Sequence, residues 1–596
     1  MNRGSKAGKN VLKKRKSFLE SSNKKFFFLL FAFALISIVP FLFSLNYPFQ
    51  FDDYPTIFED DSVDNLRDIF SIKISERPIR KLSLIFDRFF FKDKVIFYRL
   101  ENLFLYVITI FLTSFLIYKI TENKFFSLLS VFLFSLHPVH VENILIITHR
   151  KELFLYIFSM LSFYFHIEKK RVVSIIFFIF ALLSKEVALV LPFIFFVYDR
   201  IFQKSVDKKF YVIIFSIILL SFIFILFFGF TLGFYMPDFK NMDQFFKENR
   251  MLRDASYIDI LKIQPYIFMK YIKNLFFPYP LVVDYYIPVS ENNIKLFIFN
   301  LSLCLILIYS VYRYRNEKFV LFSFLFFVIN YIPISNFIPV LNLFADRYLF
   351  LPSFSFILFS YYIYTKLKHF GNYFFVLYSC CFLIFTLLYI PNFRSEISLW
   401  SYVVKNNPKS VVGTNNLGLY FMKEGNFTDA EKNLLRSYEL DSLYTNSLIN
   451  LGTLYASKRD YLKSLYFLEK AKNIEPENVR VLYNLGLTYK NLGMSLKSRE
   501  MMERIVEISP NSSLAYNNLG ASYFEEGYFA EKFLMFYLSA GFFGFVPVHL
   551  DNLIGSYENA QESFEKGLEV DKNYLKLKEN VKRVKEKLRG SFNSPF

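Results

Sequence analysis

Short polar clusters interrupt long apolar runs in this chain. They are Asp52-Asp53 in Phe51-Asp-Asp-Tyr-Pro-Thr-Ile57, His137-Pro-Val-His-Val-Glu-Asn143, His149-Arg-Lys-Glu152, Ser184-Lys-Glu186, Asp284 in Leu281-Val-Val-Asp-Tyr-Tyr286, and Asp346-Arg347 in Ala345-Asp-Arg-Tyr-Leu-Phe-Leu-Pro-Ser353. Carboxylates and cations gathered this way suit the transfer of a group from a phosphate to a hydroxyl. The hydroxyl must lose a proton as it attacks, which an Asp with an ordinary pKa of about 3.9 can accept. The departing phosphate needs Arg or Lys as positioned charge, and it leaves well enough to need no general acid. Adjacent Asp side chains in an extended loop point apart, so one of Asp52 and Asp53 can be the base and the other an anchor; the competing role for both is loop ordering or helix capping. His137, His140 and Glu142 have the spacing of a metal site. Pro138, however, suits the first turn of a helix, and His140 and Glu142, two residues apart, cannot share a helix face. The trio therefore reads as a polar cluster packing the site, and no metal ligand is assigned.

The elements that must position these groups are membrane helices. The chain has 596 residues with 54% hydrophobic, 21% aromatic and 81 Phe, and a net charge of +18. A soluble domain carries about 45–50% apolar residues without long uncharged runs; here the excess is segregated into runs, which excludes a soluble enzyme and a disordered chain alike. Cys304, Cys380 and Cys381 all lie in apolar stretches, so neither a disulfide framework nor a Cys-based zinc site is expected. No nucleic-acid partner is expected. Residues 1–25 form a basic tail, and Phe26 to Leu45 is read as an uncleaved first span rather than a secretory signal, because no small-x-small cleavage site follows. Further spans near 100–118, 125–141, 150–167, 172–184, 187–201, 210–231, 295–312, 318–337, 350–366 and 371–391 approach the ~20 residues a crossing needs and bring the expected number to about eleven. Basic loops favour the cytoplasm, which puts the tail inside and the first loop, 46–97, outside. The loops then placed inside carry Lys119/Lys124, Glu168-Lys169-Lys170-Arg171, Lys204/Lys208/Lys209, Arg313/Arg315/Lys318 and Lys366/Lys368. An odd number of spans returns residues 396–596 to the outer side, where every polar cluster also falls. Segment 258–277, with Asp259, Lys262, Lys270 and Lys273, reads as an amphipathic helix lying on that surface.

Residues 396–575 are a repeat array. Gly418, Gly452, Gly486 and Gly520 recur at one constant spacing, each after Asn-Leu and each followed three positions on by Phe421, Tyr455, Tyr489 or Tyr523. Pro408, Pro476 and Pro510 keep the period, with Ser442 in the vacant slot. The period is the ~34 residues of the tetratricopeptide repeat (TPR), a helix–turn–helix unit that buries its apolar face only by stacking on neighbours. A fifth, degenerate unit is expected at Tyr557–Phe564, after an interruption at Gly541–Val548, and residues 576–596 read as a basic capping helix and tail. That basic character suits either a solvated cap or contact with anionic lipid. Asn416, Asn450, Asn484 and Asn518 also keep the period. A column of carboxamides on the inner surface, each with a donor and an acceptor, would bind the backbone of an extended acceptor peptide; the alternative is that Asn is common at this repeat position. The expected fold is thus all-α, a polytopic helical domain over 26–395 followed by a TPR α-solenoid.

The ordered set of an acidic pair in the first outer loop, His-Pro-x-His-x-Glu, Arg-Lys-Glu, Leu-Ser-Lys-Glu, an aliphatic-Asp-Tyr turn and Ala-Asp-Arg-Tyr-Leu-x-Leu-Pro-Ser resembles the transmembrane and TPR repeat-containing O-mannosyltransferases and their bacterial relatives, of the GT-C superfamily. The resemblance covers roughly residues 30–570. It implies an inverting transfer of mannose or a similar hexose from a polyprenyl-phosphate donor to a hydroxyl on the outer face of the membrane, with protein Ser or Thr as the implied acceptor. Carried over by position, Asp52 and Asp53 are the catalytic pair, with Asp52 preferred as base. By charge, Arg150, Lys185 and Arg347 are candidates for the donor phosphate. His137, His140, Glu142, Glu152, Glu186, Asp284 and Asp346 form the supporting polar cluster, with Lys151, Glu152 and Glu186 as paired partners that keep those cations oriented, since buried charges rarely go unpaired. The sequence departs from the pattern in having Asp53 where relatives have Glu, and in a short, disrupted array. Cofactor need, including a divalent metal, is left open. The expected location is a bacterial inner membrane with periplasmic repeats, or an endoplasmic reticulum membrane with lumenal ones.

Two other function classes compete. A membrane-anchored TPR scaffold has no use for outer charges or for so many spans. A transporter would gather its charges near the midplane rather than at one face.

Overall fold

A computed structural model describes residues 24–58, 63, 77–228, 256–289, 294–337, 342–540, 546–572 and 574–593, less the side chains of 221–228, 546–549 and 590–593. Apart from Lys24 and Lys25 the basic tail lies outside the described residues, as do most of 59–76 and the centre of the 541–548 interruption. The described residues are helical, without strands. They form two compact units, 1–408 and 409–596. The Glu396–Asn406 helix, assigned by sequence to the repeat array, belongs to the first unit.

In the first unit the eleven expected crossings are not all whole helices. Four described helices are long and apolar enough to cross a membrane: Lys24–Leu42, Val95–Thr121, Ile294–Arg313 and His369–Arg394. Lys124–Ser135 and Pro138–Leu145 make a fifth if taken together across their 52° bend. The rest of the apolar sequence is divided into shorter pieces such as Arg171–Ser184, Leu191–Tyr198, Lys318–Tyr331 and Ser353–Leu367. The breaks fall on the polar clusters, and each has a local cause. Pro138 cannot donate to the preceding turn, so the chain restarts in short helices at Val141–Leu145 and Ile147–His149 before Arg150–Ile167. Lys185 and Ala345 adopt extended backbone, ending one helix and setting up Asp346–Leu349. Irregular backbone at membrane depth survives only where protein or a cavity satisfies it. The clusters therefore meet one another rather than lipid. Tyr257–Phe276 is capped by Ser256 and Asp259 and buries Ile260, Ile263, Ile267, Tyr271 and Asn274, a one-sided stripe of amphipathic character.

The second unit stacks helix pairs: Val411–Lys423 with Phe427–Leu440, Thr445–Ser457 with Tyr461–Ile474, and Val479–Asn491 with Ser495–Ile508. The repeated Gly marks where paired helices touch. A Cβ at Gly418 would lie 2.7 Å from Leu434 and one at Gly452 2.5 Å from Leu468, while one at Gly486 would run into Met502. The partner sits at the same offset along the chain in all three pairs. The tyrosine three positions after Gly452, Gly486 and Gly520 also reaches backward. Tyr455 donates to Glu431 (2.6 Å) and Tyr523 to Glu503 (2.8 Å), each in the preceding unit, and Tyr489 bonds Glu469 in the same way.

The fourth unit breaks the rule. The regular offset would bring Phe536 to Gly520, but Gly520 meets Phe564 instead. A stretch of chain as long as 537–564 is therefore let in between the two contacts. It lengthens both helices, giving Ser513–Ser539 and Val546–Val570. The expected degenerate fifth unit, Tyr557 to Phe564, is the second helix of this fourth pair: Tyr557 packs at Gly527 and Phe564 at Gly520. Leu575–Asn593 closes the stack through Leu577 and Val584.

Candidate active site

The acidic pair sits at a turn whose parts are fixed from three directions. Phe51 takes a left-handed conformation, φ 47°, unusual for an aromatic residue. Its N–H donates to Glu396 (2.6 Å), and its ring packs edge-on against Trp400, whose indole N–H also donates to Glu396 (2.8 Å). Asp53 is wholly buried, one carboxylate oxygen accepting from the Thr148 N–H (2.9 Å) and the other from the Gln50 N–H (3.1 Å). Burial pushes its carboxyl up to about 6 against the pull of those two N–H groups and of Arg99. Asp52 faces the other way, its side chain 41% exposed. Burial of its carboxyl opposes ionisation, but the His149 ring and the charges of Arg347 and Lys151 outweigh that and hold Asp52 below its ordinary value. The two aspartates thus divide into a bound one and an open one.

Behind Asp52 lies a row of polar groups. His149 Nε2 is 3.5 Å from Asp52 and its Nδ1 is 3.6 Å from Glu142. Burial pushes the His149 imidazole down to about 4, so it is neutral at physiological pH. Glu142 accepts from Arg347 Nη1 (3.0 Å). Around them, Gln50 Oε1, Glu142 Oε2, Thr148 Oγ1, both ring nitrogens of His149 and the Tyr389 hydroxyl are buried without a hydrogen-bond partner among the described residues. Such atoms cost about 1–3 kcal/mol each when left unpaired, and they come from several separate elements. Asp346, next to Arg347, accepts from Asn274 and Tyr285 (both 2.6 Å), and burial raises its carboxyl to about 6. Asp284 contributes its backbone carbonyl to Asn407 (3.0 Å).

The cations are unevenly committed. Lys185 is bound to Glu152 (2.5 Å) and Arg77 to Glu186 (3.0 Å). Lys185 and Arg347 flank the ring of Tyr348, at 4.8 and 5.2 Å. Lys151 shares its surroundings with Arg77, Arg80, Lys185 and Glu152, yet among the described residues it makes no ion pair. Arg150 is buried in its own wall, bonded to Asp87 (2.6 Å), Asn102 (3.0 Å), Ser83 (3.2 Å) and the Tyr98 carbonyl (3.2 Å), with Glu101 at 3.1 Å.

Residues 479–512 match the family model of the tetratricopeptide repeat. The chain is 26% identical over 444 residues to the protein O-mannosyl-transferase F38B6.6 of Caenorhabditis elegans, covering 69% of this chain and 62% of that protein. The chain is thus similar to a protein O-mannosyl-transferase and carries a tetratricopeptide repeat. It matches somewhat under two-thirds of that relative's length. Among solved structures it is similar to MamA (22% identity, 29% of this chain and 89% of that one, TM-score 0.23) and to TTC0263, a TPR protein of Thermus thermophilus (17% identity, 33% and 92%, TM-score 0.24).

The residues singled out from the sequence are unevenly placed on this geometry. Arg150, expected at the donor phosphate, has its guanidinium spent on Asp87, Asn102, Ser83 and Tyr98, because it starts a helix that packs against theirs. His137 and His140 lie beneath the site with both ring nitrogens of each engaged: His137 with the Leu275 carbonyl and the Val139 N–H, His140 with Tyr106 and Ser353. Among the described residues no three His, Cys, Asp or Glu converge as a metal would need. Asn450 cannot line an open column, since it is buried and donates to Asn415 (2.9 Å). Asn484 donates to its own helix at Arg480 (2.7 Å), and Asn416 accepts from Asn415 (3.1 Å). The sequence reading gives His149 no role of its own and takes Lys151 for a paired partner, whereas among the described residues Lys151 makes no ion pair. Both stand in the quoted His-Arg-Lys-Glu run, but a sequence does not say which side chain of four successive residues faces the site.

Proposed function

We propose that this protein is a membrane glycosyltransferase of inverting GT-C type that moves mannose or a similar hexose from a polyprenyl phosphate to a hydroxyl, with protein Ser or Thr as acceptor. The observation that carries the reading is the division of the acidic pair. Asp52 is open, ionised and backed by His149, Glu142 and Arg347, while Asp53 is spent on the backbone. Asp52 takes the acceptor proton as the acceptor oxygen bonds to the anomeric carbon, and the carbon–oxygen bond to phosphate breaks with its electron pair staying on the phosphate. The proton thus ends on Asp52 and the negative charge on the polyprenyl phosphate. The neutral His149 ring stands between Asp52 (3.5 Å) and Glu142 (3.6 Å), and in this reading His149 and Glu142 are positioning residues for the base.

In this reading the donor phosphate rests on Lys151 and on the edge of Arg347 not used by Glu142, with Lys185 close by; Arg150 holds the wall. The site faces the outer side, with the repeats in the same compartment, periplasmic in a bacterium, where they recruit the acceptor protein. Tethering recruitment and chemistry in one chain raises the acceptor's local concentration, to the millimolar range for a suitable geometry. The test is turnover of polyprenyl-phosphate mannose by the purified full chain in nanodiscs, with Ser/Thr-containing envelope peptides as acceptors. Release of polyprenyl phosphate that depends on the acceptor supports the reading. No release from this donor with any acceptor refutes it.

A further inference from the structure

The stretch let into the fourth repeat carries a feature that catalysis does not use. On the lengthened Ser513–Ser539 helix, Tyr528, Phe529, Phe533, Met535 and Phe536 are 43–64% exposed. Their spacing places them, with Lys532, along one face. In the three regular units the residue at this offset fills the slot at the repeated Gly; here Phe564 takes the slot at Gly520 that Phe536 would fill. Phe536 is left 61% exposed. From Phe533 to Leu550 the sequence holds no Asp, Glu, Lys or Arg, the longest such stretch in the second unit.

The neighbouring helix supplies the charge. Leu575–Asn593 carries Lys576, Lys578, Lys582, Arg583, Lys585, Lys587 and Arg589 against Glu579 and Glu586. It is fastened to the lengthened helix by Lys587 to Glu531 (2.7 Å), Asn580 to Asn517 (2.8 Å) and Arg583 over the ring of Phe524 (4.8 Å). Lys576, Lys578, Lys582 and Arg589 remain exposed and, among the described residues, without an ion pair. Exposed aromatic and aliphatic side chains next to a helix of strong positive charge are what an anionic bilayer surface recognises: the rings enter the headgroup–acyl boundary, about 5–10 Å deep, and each Lys or Arg near the surface adds about 1 kcal/mol.

We infer that the lengthened helix pair of the fourth repeat and the basic helix beside it form a docking face for anionic lipid, which seats the repeat unit on the bilayer its own chain spans. The inference concerns the repeat unit alone and stands whether or not the proposed chemistry does. The test uses the full chain in nanodiscs, with Phe536→Trp as reporter and Tyr466→Trp, on an exposed position of the second repeat, as control. Each variant is compared with the parent protein to subtract Trp400. With brominated phosphatidylglycerol present, the added emission of Phe536→Trp should fall at least twofold while that of Tyr466→Trp is unchanged. Lys578→Glu with Lys582→Glu should reverse most of the loss. Unquenched emission from Phe536→Trp overturns the inference, and so does quenching that is equal in brominated phosphatidylcholine alone. A shift that instead follows protein concentration in detergent overturns it in favour of a second copy of the chain.

Discussion

Replacing each aspartate of the pair by Asn should produce two different failures. Asp53 receives one backbone N–H on each oxygen, 2.9 Å from Thr148 and 3.1 Å from Gln50. An Asn can accept only one of them, and its amide would face the other donor, leaving a buried N–H unpaired at about 1–3 kcal/mol. Asp53→Asn should therefore lower the melting temperature by several degrees. Asp52 makes no such bond; it is 41% exposed and its nearest partner is His149 at 3.5 Å, so Asp52→Asn should leave the melting temperature within about a degree. Its loss should appear in rate instead, by about 10²–10⁴-fold, the usual contribution of a positioned base. The assay is acceptor-dependent release of polyprenyl phosphate in nanodiscs, alongside thermal unfolding of the same preparations. An Asp52→Asn protein that turns over within threefold of the parent, with a fully stable but inactive Asp53→Asn protein, would exchange the two roles and refute the reasoning.

Other consequences separate neighbouring residues. Lys151→Met should keep its melting temperature and lose about tenfold to hundredfold in kcat/KM for the donor, one charge-assisted contact to phosphate; Arg150→Met should unfold the helical unit, since breaking a buried pair costs about 3–5 kcal/mol, and the reverse pattern would restore Arg150 to the phosphate. Burial holds the His149 pKa at about 4, below its unfolded 6.5, so its contribution to stability is complete above pH 6.5 and lost as the pH falls toward 4; His149→Gln should flatten that part of the curve of melting temperature against pH. Gly452→Ala puts a methyl 2.5 Å from Leu468 and should loosen the second repeat by about 1–3 kcal/mol, visible as faster hydrogen exchange in Thr445–Ile474 with donor turnover unchanged.

Periodicity and motif order made much of this legible. The constant recurrence of Gly reports a contact that must recur, so the stacked helix pairs followed directly. The insertion in the fourth unit was visible only as an interruption, because its cause is which aromatic returns to Gly520, a matter of three dimensions. Apolar runs gave the membrane helices but overstated their continuity, since hydropathy windows run across Pro138, Lys185 and Ala345 where the backbone breaks. At the site, residue type identified the clusters, and direction did not follow from type. Nothing in Asp52-Asp53 says which side chain meets the Thr148 N–H. The brace by Glu396 and Trp400 joins segments far apart in the chain, Phe51 to Glu396, with no local signal. The reach of Tyr455 and Tyr523 into the preceding unit has no sequence signal either, because an aromatic in that slot reads as filler rather than as a hydrogen-bond donor.

Sugar transfer to protein is the reaction that Asp52 is proposed to serve. The most direct measurement is mass spectrometry of envelope proteins from cells lacking this gene, complemented with the parent chain or with Asp52→Asn at equal abundance. Hexose on Ser or Thr should appear with the parent chain and be missing with the variant. The same hexose-bearing peptides in both strains would contradict the account.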